Sequence, residues 1–219
     1  MKMTKMTKMI FVRHGQSVAN LERVFAGTTD TPLTELGHRQ AECTAELLRE
    51  YPIDAIYASD LSRAMQTAEP TARMHGLSVI PDAQLREIHA GDWENVAYEE
   101  LLVRFPESYG TWRTDCGRAH PENGERVTDL AARIYREVER IAQLHRGGCV
   151  AIFSHATPIR ALRALWEGYP PEELARVEFC PNASVSVVDY CEDGSFAVHL
   201  CGYDAHQGKN STSLAKGIV

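Results

Sequence analysis

The sequence predicts an α/β protein with a mostly parallel central sheet and helices on both faces, and three observations carry that prediction. Apolar runs at 9–12 and 55–58 each end at polar residues and lead into a stretch of helical periodicity, the alternation that parallel strands with crossover helices produce. A long amphipathic stretch ends in Gly147 and Gly148 and passes directly into the apolar run CVAIFSH at 149–155. The chain then closes on two strand-like runs, SVSVVDY and FAVHLCGY, joined by CEDGS, which read as an antiparallel hairpin.

Taken in order, the first strand (9–12) delivers Arg13 and His14 to its end, with Gly15 directly behind them. In TPLTELGHRQAECTAELLREY, Thr34 is placed to cap a helix whose Leu36, Ala41, Ala45 and Leu48 fall near helical spacing. After the strand at 55–58, SDLSRAMQTAEPTARMHG reads as a helix capped by Ser59 or Asp60, kinked at Pro70 and stopped at Gly76. A strand follows at 78–80. Residues 92–124 lose periodicity and carry Trp93, Trp112, Arg104, Arg113 and Arg118, so they read as a partly helical insertion over one end of the sheet. GERVTDLAARIYREVERIAQLHRGG is the long helix, and a helical pair at 158–166 and 171–177 precedes the hairpin. The expected organisation is one domain at 9–206 with that insertion, between a ragged start at 1–8 and a mobile tail at 207–219.

A chain of 219 residues can bury a core without staples. Lys plus Arg number 23 against 30 acidic residues, a net charge of −7, which argues against a nucleic-acid partner. No stretch approaches 18 consecutive apolar residues, and MKMTKMTKMI lacks the apolar core of a secretory signal, so no membrane association is expected. The six cysteines form no CxxC pair, so neither a zinc site nor a disulfide framework is expected and the expected compartment is the cytoplasm.

A parallel sheet binds ligands at the carboxyl ends of its strands. Here those ends collect Arg13-His14-Gly15, then Asp60, Ser62 and Arg63, then Ser154-His155. Two guanidiniums and two imidazoles on one rim suit a phosphoryl group, whose oxygens match the planar fork of arginine. A neutral imidazole attacks phosphorus when its other nitrogen donates to a fixed acceptor, and flanking guanidiniums disfavour imidazolium. Taken singly, Arg13-His14 is equally a solvated pair at a strand end, and Glu87 an exposed charge.

Five blocks in order, RHGQSVAN, FAGTTDTPLTELGHRQA, SDLSRAMQTA, LREIHAGDWEN and FSHATPIRAL, resemble the histidine phosphatase superfamily, in the branch of the cofactor-dependent phosphoglycerate mutases and related small phosphatases. The resemblance covers about 11–162 and implies a three-layer αβα sandwich of the phosphoglycerate mutase-like type. It makes His14 the nucleophile that becomes phosphohistidine, Glu87 the proton donor to the leaving oxygen, and Arg13, Arg63 and His155 the rest of the phosphate pocket. Ser17, Asn20, Gly27 and the N–H of Ala156 match positions that touch phosphate or substrate, and the Gly15 carbonyl matches the group that orients the nucleophile. No cofactor or metal is implied. The implied partner is a small phosphorylated metabolite or inorganic phosphate, and the oligomeric state is left open.

Three positions depart from the family pattern: Ala156 and Asn95 stand where glycine is common, and the GTTD loop lacks the tryptophan frequent in mutases. Asparagine tolerates a left-handed backbone better than most residues. The segment WRTDCGRAHPENGER looks more like that of the small phosphatases than the longer basic insertion of the glycolytic mutases. A phosphomonoester hydrolase is therefore the expected function, with phosphoglycerate mutase second and a non-catalytic phosphate-binding regulatory module third. Arg104, Arg113 and Arg118 are either a second anionic contact or solvated. Trp93 reads as packing, Arg160 as orienting its helix or pairing with a carboxylate, and the other seven histidines as surface or structural.

Overall fold

Residues 9–12 are apolar at every position rather than at alternate ones, which a strand covered on both faces requires. In the computed structural model, which describes residues 6–212, this run forms the middle of β1 (Met6–Arg13). With β2 (Ala55–Ala58), β3 (Val79–Pro81), β4 (Cys149–Ser154), β5 (Val185–Cys191) and β6 (Phe196–Tyr203) it builds one sheet in the order β3-β2-β4-β1-β5-β6. The first four strands run parallel. The terminal hairpin continues the sheet antiparallel, β5 against β1 and β6 against β5.

Helices cover both faces. Ile10, Val12, Ile56, Ala58, Ala151 and Phe153 pack with Leu48, Ala68 and Ala72 beneath α2 (Glu35–Leu48) and α3 (Ser62–His75). Met9, Phe11, Tyr57, Val150 and Ile152 face the other layer, formed by α6 (Val127–Leu144) and α7 (Ala156–Trp166). Val127, Leu130, Ala131, Ile134, Val138 and Ile141 give α6 its buried stripe. The insertion contributes α4 (Tyr98–Arg104) and α5 (Pro106–Asp115). Its Trp93 is fully buried against Phe25, Tyr109 and Trp112, a packing residue as expected.

Several expectations are corrected by local physics. The ragged start fails for residues 6–8, because Thr7 and Lys8 pair with Tyr190 and Asp189 of β5 and Lys8 Nζ meets Asp189 at 2.8 Å. A short helix, α1 (Val18–Glu22), follows β1 and is held by a capping box of Ser17 and Asn20. Neither Ser59 nor Asp60 caps α3; its N-cap is Leu61. Asp30 accepts from the Ser62 N–H and hydroxyl instead, at 2.7 and 2.6 Å. Pro70 lies inside a helix that continues to His75. α7 begins at Ala156, two residues ahead of expectation, since a proline in the first turn removes an N–H that has no intrahelical partner. The segment 207–212 is no mobile tail. Gln207 is buried, and its Nε2 donates to the Gln40 carbonyl and to Thr44 Oγ1 of α2 at 3.2 and 3.1 Å. Residues 1–5 and 213–219, the rest of those two expectations, lie outside the described residues. Among the described residues, no helix is long and apolar enough to cross a membrane.

Candidate active site

The carboxyl ends of β1, β2 and β4 surround a cavity of about 420 Å³, of the size that holds a small molecule. Arg13, His14, Ser17, Asn20, Gly27, Arg63, Glu87 and Ala156, all expected site residues, line it. β1 sets the first two, and the crossover from β2 into α3 sets Arg63.

His14 is buried, and its Nδ1 stands 2.7 Å from the Gly15 carbonyl oxygen. A carbonyl only accepts, so Nδ1 carries the proton and Nε2 is left as the lone-pair nitrogen. Gly15 can approach so closely because it lacks a side chain; a Cβ there would lie 2.6 Å from the Gly37 carbonyl oxygen. Its N–H donates to Thr67 Oγ1 at 3.0 Å.

Arg63 is almost wholly buried and tied at three donors. Nη1 donates to the Thr29 carbonyl (2.9 Å), Nη2 to the Gly27 carbonyl (2.7 Å) and Nε to His155 Nδ1 (3.2 Å). Gly27 has a φ of +52°, and a Cβ there would lie 2.7 Å from Glu94 Oε1, so only glycine turns its carbonyl onto Arg63 without strain. Glu94 braces the same loop, accepting from the Thr28 N–H and hydroxyl and from the Thr29 hydroxyl. Burial works to raise the Glu94 pKa, but those hydrogen bonds together lower it. Asn95 adopts the left-handed conformation expected of it, with φ +63°.

Arg13 donates from Nη1 to the Cys180 carbonyl at 2.6 Å, while its buried Nε has no partner among the described residues. An orphaned guanidinium donor at 96% burial is costly unless an anion completes it. Burial lowers the pKa of both arginines, and the Glu87 carboxylate opposes that shift. Glu87 Oε1 accepts from the Ile88 N–H at 2.9 Å and Oε2 from the Thr157 N–H at 3.3 Å, which fixes the carboxylate at the amino end of α7.

His155 sits deeper than the other expected site residues. It is fully buried behind the cavity, 5.1 Å from His14 between ring centroids, and does not line the wall. Nδ1 accepts from Arg63 Nε, so Nε2 carries the proton and donates to Ser59 Oγ at 2.8 Å. Both ring nitrogens are thus used inside the protein, and Nδ1 holds the Arg63 side chain that lines the cavity. Arg104, Arg113 and Arg118 do not reach the cavity: Arg104 lies over Phe105, and Arg118 faces Asp115 at 3.6 Å. Arg160 meets no carboxylate among the described residues; its Nε donates to the Val177 carbonyl and its guanidinium stacks on Phe179. The outer wall is instead Val24, Phe25, Tyr98, Trp112 and Phe179, with Arg23.

Sequence reasoning misses Asn182, Ser59 and Thr67. Each acts from a distance in sequence on a backbone or ring atom of the site, and none belongs to a local pattern.

Burial first, then the guanidiniums of Arg63 and Arg13, holds the His14 pKa well below the ordinary imidazole value of 6.5. Burial, then Arg63, does the same to His155. Both folded-state values lie below the unfolded ones, so the stability held by these neutral rings is complete above about pH 6.5 and is lost as pH falls through the folded values. In an NMR titration both rings are expected to remain neutral at about pH 6, where a free imidazole is mostly protonated. Titration of His14 at the ordinary value would mean that burial and the two guanidiniums do not hold its ring neutral.

The sequence model of the histidine phosphatase superfamily (branch 1) matches residues 9–202. Phosphoserine phosphatase 1 of Hydrogenobacter thermophilus is 31% identical over 213 residues, 97% of this chain and 100% of that protein. Phosphoglycerate mutase-like protein 4 of Arabidopsis thaliana is 33% identical over 204 residues, 91% of this chain and 86% of that protein. The structure of mycobacterial glucosyl-3-phosphoglycerate phosphatase with inorganic phosphate aligns at a TM-score of 0.79 and 30% identity, covering 91% of this chain and 98% of that one. The chain spans about half (53%) of the length of three relatives from Mycobacterium bovis and Mycobacterium tuberculosis, to which it is 33% identical over 195 residues.

Proposed function

Because the chain belongs to the histidine phosphatase superfamily, branch 1, we propose that it hydrolyses phosphomonoesters through a phosphohistidine on His14, without a metal. The observation that carries this reading is the His14 ring, whose Nδ1–H is spent on the Gly15 carbonyl while it lines a cavity shared with Arg13 and Arg63. A phosphoryl group seated there receives the orphaned Arg13 donor and the free Arg63 N–H groups. His14 Nε2 attacks phosphorus and forms the N–P bond. The bond to the ester oxygen breaks, and Glu87 gives its proton to the departing alcohol. Water then attacks the phosphohistidine as Glu87 takes its proton, the N–P bond breaks, and phosphate leaves with His14 restored. Fixed positive charge and positioning supply most of the acceleration, as in other phosphoryl transfers.

Hydrolysis is favoured over mutase action by the outer wall. Returning a phosphoryl group to a reoriented phosphoglycerate needs several cations for the second phosphate and the carboxylate. Beyond Arg13 and Arg63, Arg23 is the one further cation that the described residues place on the cavity wall. The expected result is steady release of phosphate from an aryl phosphate in the presence of a metal chelator, with little 2-phosphoglycerate formed from 3-phosphoglycerate plus bisphosphoglycerate. Efficient mutase turnover reverses the assignment, and failure to form any acid-labile phosphoenzyme leaves a non-catalytic phosphate-binding module.

A further inference from the structure

The carbonyl that fixes the tautomer of His14 belongs to Gly15, a residue with no side chain to hold its own peptide planes. Its restraint comes from elsewhere in the chain. Asn182 Nδ2 lies 3.1 Å from the His14 carbonyl, 3.4 Å from the Gly15 carbonyl and 3.1 Å from Asn20 Oδ1. A carbonyl oxygen has two lone pairs, so the Gly15 oxygen can accept from His14 Nδ1 and Asn182 together. Asn182 is 96% buried. The loop that carries it grips the preceding residues as well: the Ala183 N–H donates to the His14 carbonyl at 3.2 Å, and the Arg13 N–H donates to the Ser184 carbonyl at 3.1 Å. Ala183 sits in the left-handed region at φ +56°, a conformation that an alanine keeps only where its surroundings impose it.

The loop is braced from behind by a segment beyond the 9–202 family match. Thr212 Oγ1 donates to Asn182 Oδ1 at 3.3 Å, and Gln207 Nε2 reaches the Ala183 carbonyl at 3.4 Å. Gln40 ties the two sides together: its Oε1 accepts from the Gln16 N–H at 2.7 Å and its Nε2 donates to the Asn210 carbonyl at 2.7 Å.

We infer that Asn182 is a positioning residue for the nucleophile: its amide holds the His14 and Gly15 carbonyls so that the proton stays on Nδ1 and Nε2 faces phosphorus, with Thr212 as its brace. Without that amide the Gly15 carbonyl loses its second donor and its peptide is held through the Gln16 N–H to Gln40 alone, which loosens the acceptor of His14 Nδ1 and admits the Nε2–H tautomer, whose Nε2 has no lone pair for phosphorus. Loss of one hydrogen bond to a buried carbonyl corresponds to about a tenfold change in population. The role rests on His14 acting as nucleophile, but the tautomer itself can be read without turnover.

The test combines kinetics on an aryl phosphate with 15N NMR of the histidine rings in the full chain. Asn182→Ala is expected to lower kcat about tenfold with KM nearly unchanged, because the guanidiniums that bind phosphate are untouched. Its His14 signals are expected to move from pure Nδ1–H toward the Nε2–H tautomer. Asn182→Ser keeps one donor and is expected to recover part of both, and it carries the test alone if the alanine variant does not fold. Thr212→Val, which removes only the brace, is expected to shift both readouts in the same direction by less. An unchanged His14 tautomer in Asn182→Ala or Asn182→Ser, or a rise in KM with kcat intact, overturns the role. If the native protein hydrolyses no phosphomonoester yet His14 still changes tautomer with Asn182, the functional reading fails and the positioning role stands.

Discussion

A His14→Ala protein is expected to bind inorganic phosphate and to lose turnover of any phosphomonoester, by on the order of 10⁴-fold or more. Among the described residues, the substitution removes the one imidazole nitrogen that faces the cavity and leaves both guanidiniums in place. Burial and the neighbouring arginines keep that nitrogen unprotonated, and among the described residues no other histidine lines the cavity. His155 cannot stand in, since its two ring nitrogens are occupied by Arg63 and Ser59. Phosphate binding followed by NMR, with the rate measured on p-nitrophenyl phosphate, checks both halves of the expectation. A variant that hydrolyses the ester at the native rate would place the nucleophile elsewhere.

The buried positive charge makes the site costly for the fold and useful for the ligand. Arg13 and Arg63 are both more than nine-tenths buried, where an unpaired cation is strongly disfavoured. The fold meets part of that cost with backbone carbonyls, from Gly27 and Thr29 for Arg63 and from Cys180 for Arg13. These are dipoles without net charge, so the cations stay available to a dianion that enters between them. A carboxylate paired to either arginine would have neutralised the site before the ligand arrived. The same placement leaves the chain, acidic as a whole, with a concentrated positive pocket.

What the sequence made legible follows from how local each signal is. Residues 55–58 and 196–203 coincide with β2 and β6, because a short apolar or alternating run between turn residues carries its own period. Arg13, His14 and Arg63 were legible because each stands at a strand end or on the first turn after one. The start of β1 was not, since Thr7 and Lys8 read as polar and are held by backbone pairing to β5, more than 180 residues away. α1, five residues long, is too short to show a period and rests on its capping box. Charge alone leaves the arginines of the insertion open between a second anionic contact and solvation. Yet the insertion meets the site through backbone pairing of residues 95–98 with 23–25, which turns Tyr98 and Trp112 inward and leaves Arg104, Arg113 and Arg118 outside. Asn182 has no local pattern: its partners are carbonyls more than 160 residues earlier in the chain.

Exchange of Glu87 for glutamine is expected to separate the two chemical steps. Glutamine preserves the shape, and its single amide oxygen can still accept one of the two N–H groups, Ile88 or Thr157, that hold the carboxylate, so the arginine side of the phosphate pocket should form as before. It cannot give a proton to a departing alkoxide. Hydrolysis of an alkyl phosphate, whose leaving group needs that proton, should fall by about 10²- to 10⁴-fold. An aryl ester such as p-nitrophenyl phosphate leaves without help, so its first step should proceed. The second step still needs a base for the attacking water, and the phosphohistidine should therefore accumulate. The expected record is a burst of one equivalent of nitrophenol per enzyme, then a slow steady rate, with acid-labile phosphate recovered on His14. Equal losses for alkyl and aryl esters, with no burst, would instead mean that Glu87 only balances the charge of Arg13 and Arg63, whose pKa values it raises, and that the proton comes from solvent.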